Sequence, residues 1–181
     1  MEAEAGAGAQ AIGAQAHEVA RLREEIARLG ARLRHLEAVE AVRETLLDYV
    51  HYHDRGLSGE LAELFAEDAV LDISGFGDHL DVSISGRAAI RDMYASLDAR
   101  SDGPPPYKHA ITNLRIEIDG EQALASSYLL DWGGPATDLG PGGSVYRQRL
   151  ERQSDGRWLI KHKRIIRTAE LTVEAASSLP I

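Results

Sequence analysis

Two Asp-Gly pairs do most to limit the folds open to this chain. Asp119-Gly120 and Asp155-Gly156 each sit between segments of strand character, and Asp-Gly is a tight-turn signal between antiparallel strands. Before the first turn Leu114, Ile116 and Ile118 alternate with Arg115, Glu117 and Asp119, so a strand is predicted from His109 to Ile118. A second strand is expected over 122–132, a third over 144–152 and a fourth over 158–166, with a Gly/Pro-rich loop over 133–143. The breaker Ser101-Asp102-Gly103-Pro104-Pro105-Pro106 separates this half from what precedes it.

The preceding half reads differently. Val39, Val42, Leu46, Tyr49 and Val50 share one face of a helix that should end near Arg55-Gly56. A short helix is predicted over 60–66, a β-type run over 69–73, a stretch punctuated by Gly75, Gly77 and Gly86, and a helix over 87–97 carrying Ile90, Met93, Tyr94 and Leu97 at helical spacing. Helices first and strands afterwards give the α+β class. A sheet curled around those helices would enclose an apolar pocket, and Tyr94, Tyr107, Tyr128 and Tyr146 would suit its walls, with apolar rings and hydroxyl tips. His162 is a further candidate for that lining.

Upstream lies a segment of another kind. Residues 1–36 hold five Glu and five Arg, so the net charge of −9 belongs to the rest of the chain. Residues 1–16, mostly Ala, Gly, Glu and Gln, read as a flexible lead-in without the marks of a signal peptide, and a cytoplasmic location is expected. Over 17–36, Val19, Leu22, Ile26, Leu29, Leu33 and Leu36 alternate steps of three and four, the a/d seam of a coiled coil. With Val19 at a, Glu18 faces Arg23 and Arg32 faces Glu37 in the g-to-e pairs of a parallel assembly. The bland alternative is an amphipathic helix lying on its own domain. The division expected is therefore 1–16 lead-in, 17–36 oligomerisation helix, 37–168 α+β domain and 169–181 tail, in a homo-oligomer that is a dimer or a trimer.

Composition removes several kinds of chemistry. With no cysteine there are no disulfides, thiolate nucleophiles or thiolate metal sites. An acidic balance, pI near 5.2, opposes binding of phosphate backbones, and no nucleic-acid partner is expected. No apolar run approaches the roughly 18 residues of a membrane span. Phosphate loops, dinucleotide fingerprints and the Gly-x-Ser-x-Gly elbow are missing. His51 and His53 flank Tyr52, but residues two apart on a helix diverge, so neither a metal nor another cofactor is expected. The basic run Lys161-His162-Lys163-Arg164 is split across two faces by strand alternation.

Five stretches carry a resemblance. Leu46-Leu47-Asp48-Tyr49 through Asp54, Leu64-Phe65-Ala66-Glu67-Asp68-Ala69-Val70, Gly86-Arg87-Ala88-Ala89-Ile90, His109 with Asn113, and Asp155-Gly156-Arg157-Trp158 resemble the SnoaL-like members of the nuclear transport factor 2-like superfamily over roughly residues 37–168. The resemblance implies a cone-shaped α+β fold with a pocket between sheet and helices. That superfamily includes dehydratases, a dehydrochlorinase, isomerases, polyketide cyclases and dioxygenase β subunits. Tyr49, Asp54, His109 and Asp131 match catalytic positions of its bile acid 7α-dehydratase subgroup, and Asp54 with His109 matches the dyad of the scytalone dehydratase relatives. Ile73 stands where the former subgroup carries a further tyrosine.

Taken by themselves these residues read blandly: His109 as a strand-start histidine, Tyr49 as a core-edge tyrosine, Asp54-Arg55-Gly56 as a helix-ending turn. With the resemblance, His109 is expected as general base, Asp54 as its orienting partner and Tyr49 as donor to a substrate oxygen, with Asp131 assisting. The implied activity is a cofactor-independent lyase, a dehydratase of a hydrophobic polycyclic or steroid-like molecule. Alternatives are an isomerase or polyketide cyclase on the same site, or a non-catalytic assembly subunit resembling a dioxygenase β subunit.

Overall fold

In the computed structural model, which describes residues 2–77, 81–99, 108–132 and 142–167, the chain divides into two units, 1–38 and 39–181. Helix α1 (Glu2–His53) begins at Glu2, so residues 2–16 are helical where the sequence predicts a flexible lead-in. Alanine explains the difference: it gives up no side-chain entropy in a helix and outweighs the three glycines among those residues. Within the first unit the heptad residues are solvent-exposed, from 42% at Val19 to 69% at Ile26. Glu18–Arg21 and Glu25–Arg28 pair one turn apart on the helix surface. The expected tail, 169–181, and Tyr107 lie outside the described residues.

In the second unit the apolar stripe of α1 changes face as expected, with Val42, Leu46, Tyr49 and Val50 buried. Thr45 Oγ lies 3.0 Å from the Trp158 carbonyl and 3.1 Å from that of Ala41. The helix closes on Gly56 at φ 66°, whose N–H donates to the His53 carbonyl at 3.1 Å. Gly supplies this left-handed step without a Cβ penalty. Asp54 is thereby the first residue beyond the helix.

Helix α2 (Ser58–Ala62) is shorter than predicted, and strand β1 (Phe65–Ser74) starts four residues earlier. Tertiary pairing overrides local preference there: Phe65 pairs with Ile160, and Ile160 N–H donates to the Leu64 carbonyl at 2.8 Å. Strand β2 (Val82–Ser85), helix α3 (Arg87–Asp98) and strands β3 (Lys108–Asp119), β4 (Gln122–Trp132), β5 (Gly142–Arg152) and β6 (Trp158–Arg167) follow. One mixed sheet, which does not close, has the order β2-β1-β6-β5-β4-β3. All neighbours are antiparallel except β1 and β6, which run parallel.

Which side chains face inward is decided by two irregularities. On β4 the inward set is Ala123, Ala125, Ser127, Leu129 and Asp131, all odd-numbered. Strand β3 pairs His109 with Asp131 and Ile111 with Leu129, but Ile116 with Ala125 and Ile118 with Ala123. One extra residue between Thr112 and Arg115, where Asn113 takes φ 53°, switches the inward set from odd to even. Strand β6 has a similar insertion at Lys161: Ile160 pairs with Leu150, yet Lys163 pairs with Gln148 and Ile165 with Tyr146.

Gly75 fixes the loop after β1. Its φ is 84°, and a Cβ there would lie 2.6 Å from the Arg167 carbonyl oxygen. Gly75→Ala is therefore expected to cost about 2 kcal/mol or more, from backbone strain together with the clash. Denaturant midpoints test this; a variant within about 0.5 kcal/mol of the parent would mean that the loop relaxes freely.

Candidate active site

Two elements deliver the central pair. The turn after α1 presents Asp54, β3 presents His109, and the β3 irregularity aims the imidazole inward. His109 Nδ1 lies 2.6 Å from Asp54 Oδ1, and the His109 backbone N–H donates to Asp54 Oδ2 at 3.2 Å. Both side chains are mostly buried, at 8% and 16% exposure. A carboxylate can only accept, so Nδ1 donates the proton of this hydrogen bond and the ring is oriented by it. Lys108 Nζ donates to the Asp54 carbonyl at 2.9 Å, which further fixes the turn.

Beside the pair, the ring of His53 stands 4.9 Å from that of His109 and 5.2 Å from that of Tyr94, centroid to centroid. Burial and the neighbouring His109 lower its pKa to about 4. His51, two residues earlier, is exposed and lies 3.1 Å from Arg55 instead.

Tyr49 sits at the centre of a phenol cluster. Its hydroxyl is 2.5 Å from that of Tyr94, and the ring of Tyr146 stands edge-on, 6.1 Å away between centroids. Burial pushes both Tyr49 and Tyr146 well above the usual phenol range. Against the ring faces of Tyr49 and Tyr146, at 3.8 and 3.7 Å from the centroids, lies the ammonium nitrogen of Lys163. Lys163 is wholly buried; Nζ donates to Gln148 Oε1 at 2.9 Å, and desolvation lowers its pKa well below the usual lysine range.

Asp131, the cross-strand neighbour of His109, accepts a hydrogen bond from Arg167 at 3.0 Å through Oδ2. Its Oδ1 is buried without a hydrogen-bond partner among the described residues, as are Ser127 Oγ and Gln148 Nε2.

The structure thus brings together Tyr49, Asp54, His109, Asp131 and Tyr146, and adds Tyr94. It does not bring in Tyr128 or His162. Tyr128 is three residues from Asp131 on a regular strand and so faces the other way. His162 is turned outward by the β6 irregularity, with Nε2 2.7 Å from Asp72 Oδ2, while Ser83 donates to the other oxygen at 2.6 Å. Sequence reasoning missed Lys163, Gln148, Ser127 and Arg167. Gln148 and Ser127 follow from the period-2 pattern through Tyr146 and Asp131, whereas Lys163 needs the irregularity. A separate open groove of about 580 Å³, bordered by Glu44, Asp48, Glu60, Glu63 and Asp155, contains none of these residues.

Residues 34–164 match the family model of the SnoaL-like domain. Among solved structures, an NTF2-like protein with a cystatin-like fold from Novosphingobium aromaticivorans is 24% identical, with a TM-score of 0.67 over 84% of this chain and 96% of that one. A candidate scytalone dehydratase from the same organism is 21% identical, with a TM-score of 0.60 over 74% and 86%. A candidate dehydratase of the NTF2-like family from Streptomyces avermitilis is 19% identical, with a TM-score of 0.58 over 73% and 96%. No curated protein matches the chain. No helix among the described residues is long and apolar enough to cross a membrane.

Proposed function

The chain belongs to the SnoaL-like domain family, and from that premise we propose that it is a lyase that dehydrates a hydrophobic, hydroxylated polycyclic or steroid-like molecule without a cofactor. The Asp54–His109 pair carries this reading. His109 Nε2 removes a proton from carbon next to a carbonyl, and Asp54 holds the Nδ1–H tautomer and stabilises the imidazolium that forms. Tyr49, in its phenol cluster, donates to the oxygen that gains charge. Asp131, held by Arg167, accepts a hydrogen bond from the substrate hydroxyl through its unmet oxygen. The proton taken by His109 Nε2 passes to that hydroxyl, which leaves as water as the C–O bond breaks and the enolate's electron pair forms the carbon–carbon double bond.

Turnover of a panel of hydroxylated polycyclic ketones tests the assignment. A member that loses water with the parent protein, and does not with Asp54→Asn or His109→Ala although it still binds, supports it. Turnover that survives both substitutions refutes it.

The exposed a/d row of α1 is proposed to pair with the same row of another copy. Burying one Leu or Ile side chain is worth about 1.5–3 kcal/mol, a gain the isolated helix forgoes, and the Glu18/Arg23 and Arg32/Glu37 pairs favour a parallel arrangement. Removal of residues 2–36 is expected to lower the solution mass measured by light scattering from that of an oligomer. An unchanged assembly would assign the contacts to the other unit.

A further inference from the structure

His53 and Asp54 are consecutive residues, and they engage His109 in different ways. Asp54 bonds to the edge of the imidazole, with Oδ1 2.6 Å from Nδ1, and to the backbone N–H of the same residue. His53 packs against the ring itself: the two centroids are 4.9 Å apart, with 51° between the planes. It is wedged there in turn, because Tyr94 and Tyr49 stand edge-on to it at 5.2 and 6.2 Å. One hydrogen bond at Nδ1 fixes a point on the imidazole and leaves the ring able to rock about that point. A packed neighbour is needed to fix the plane, and with it the direction of Nε2.

We infer that His53 is a positioning residue of the acid–base pair: its uncharged aromatic ring sets the plane of His109 and stabilises the imidazolium that forms there. The inference rests on the proposed role of His109 as base and adds a group that acts through it. An aromatic ring attracts a cation within roughly 6 Å of its centroid, and the His109 ring lies inside that distance. Two cations so close would repel, so the two rings hold one proton far more readily than two. Burial keeps that proton off His53, whose pKa is lowered to about 4. The helix end thus supplies His109 with a carboxylate for its edge and a neutral ring beside it, from neighbouring positions. Other titratable groups around the two rings are Asp54 after α1, Tyr49 on α1, Tyr94 on α3, Asp131 on β4 and Lys163 on β6. A substitution at position 53 leaves all of them in place.

Imidazole NMR shifts followed through a pH titration report the charge of each ring and need no substrate, so failure to find turnover leaves this result standing. The His109 signals are identified by their loss in His109→Gln, and those of His53 by their loss in its own variants. His53→Leu fills the space without an aromatic ring and should weaken proton binding at His109 by about threefold to thirtyfold, the range of a cation beside an aromatic neighbour. His53→Phe restores the ring and should stay within about twofold of the parent. Both side chains are apolar, so a role in packing or desolvation alone would move the two variants together. Proton binding in His53→Leu within about twofold of the parent, or weakened equally in both variants, would overturn the inference. If His53→Leu does not fold, the parent decides: His53 is expected to stay neutral while His109 titrates, and two rings taking up protons together would overturn it as well.

Discussion

Asp54→Asn should leave the fold intact and reduce kcat by about 10²–10⁴, because the two hydrogen bonds of Asp54 force the substituted amide into one orientation. The His109 backbone N–H can only donate, so the amide oxygen must take the place of Oδ2. The amide NH₂ then faces Nδ1, now 2.6 Å from Oδ1. That arrangement needs Nδ1 as acceptor and moves the proton to Nε2, the wrong tautomer for a base. His109→Ala removes the base outright and should do at least as much damage. Steady-state kinetics on any member of the panel that turns over decides the matter, with folding checked by circular dichroism. Asp54→Asn within about threefold of the parent, a loss far below that of a general base, would show that the pair is structural.

The elements of this fold were legible from alternation, helical spacing and turn residues; the directions of several side chains were not. Leu114, Ile116 and Ile118 mark the even positions of β3 as inward, which taken alone would send His109 out. One extra residue at Asn113 reverses that parity and brings the imidazole to Asp54. Asparagine tolerates the left-handed conformation better than most residues, so the signal was present, though it is weak in a single sequence. On β6 the same device works the other way. Continuing the alternation from Ile160 places His162 inside, but the insertion at Lys161 turns it out towards Asp72 and puts Lys163 in. Tyr128 needed no such irregularity: its odd spacing from Asp131 already set it on the opposite face. A one-residue change of phase costs little in the pairing ladder and exchanges every side chain beyond it, so composition and periodicity identify the strands before they identify the site.

Lowering the pH from 7 to 4 should cost the folded protein about 3 kcal/mol through His53 alone. Burial and the neighbouring His109 bring its folded pKa to about 4, against 6.5 for an ordinary histidine. Between those values the unfolded chain binds the proton and the folded chain does not, so stability falls as the pH drops through this window. Above 6.5 the group contributes no slope, and below 4 it is protonated in both states. Other charged or ionisable groups around the ring are His109, Asp54 and Lys163; Tyr49 and Tyr94 also pack against it. Elsewhere, Asp68, Asp72 and Asp155 have carboxyls held below 3.8 by their partners. Their contribution is complete above 3.8 and is lost only as the pH falls below it, so the two effects occupy separate ranges. Asp98, raised by burial, acts in the opposite sense. Urea unfolding at intervals from pH 7 to 4 should show the His53 slope in the parent and a flatter profile in His53→Phe, whatever the absolute stability of that variant. Equal slopes in the two proteins would place the acid sensitivity in other groups and show that water reaches the His53 ring in the folded state.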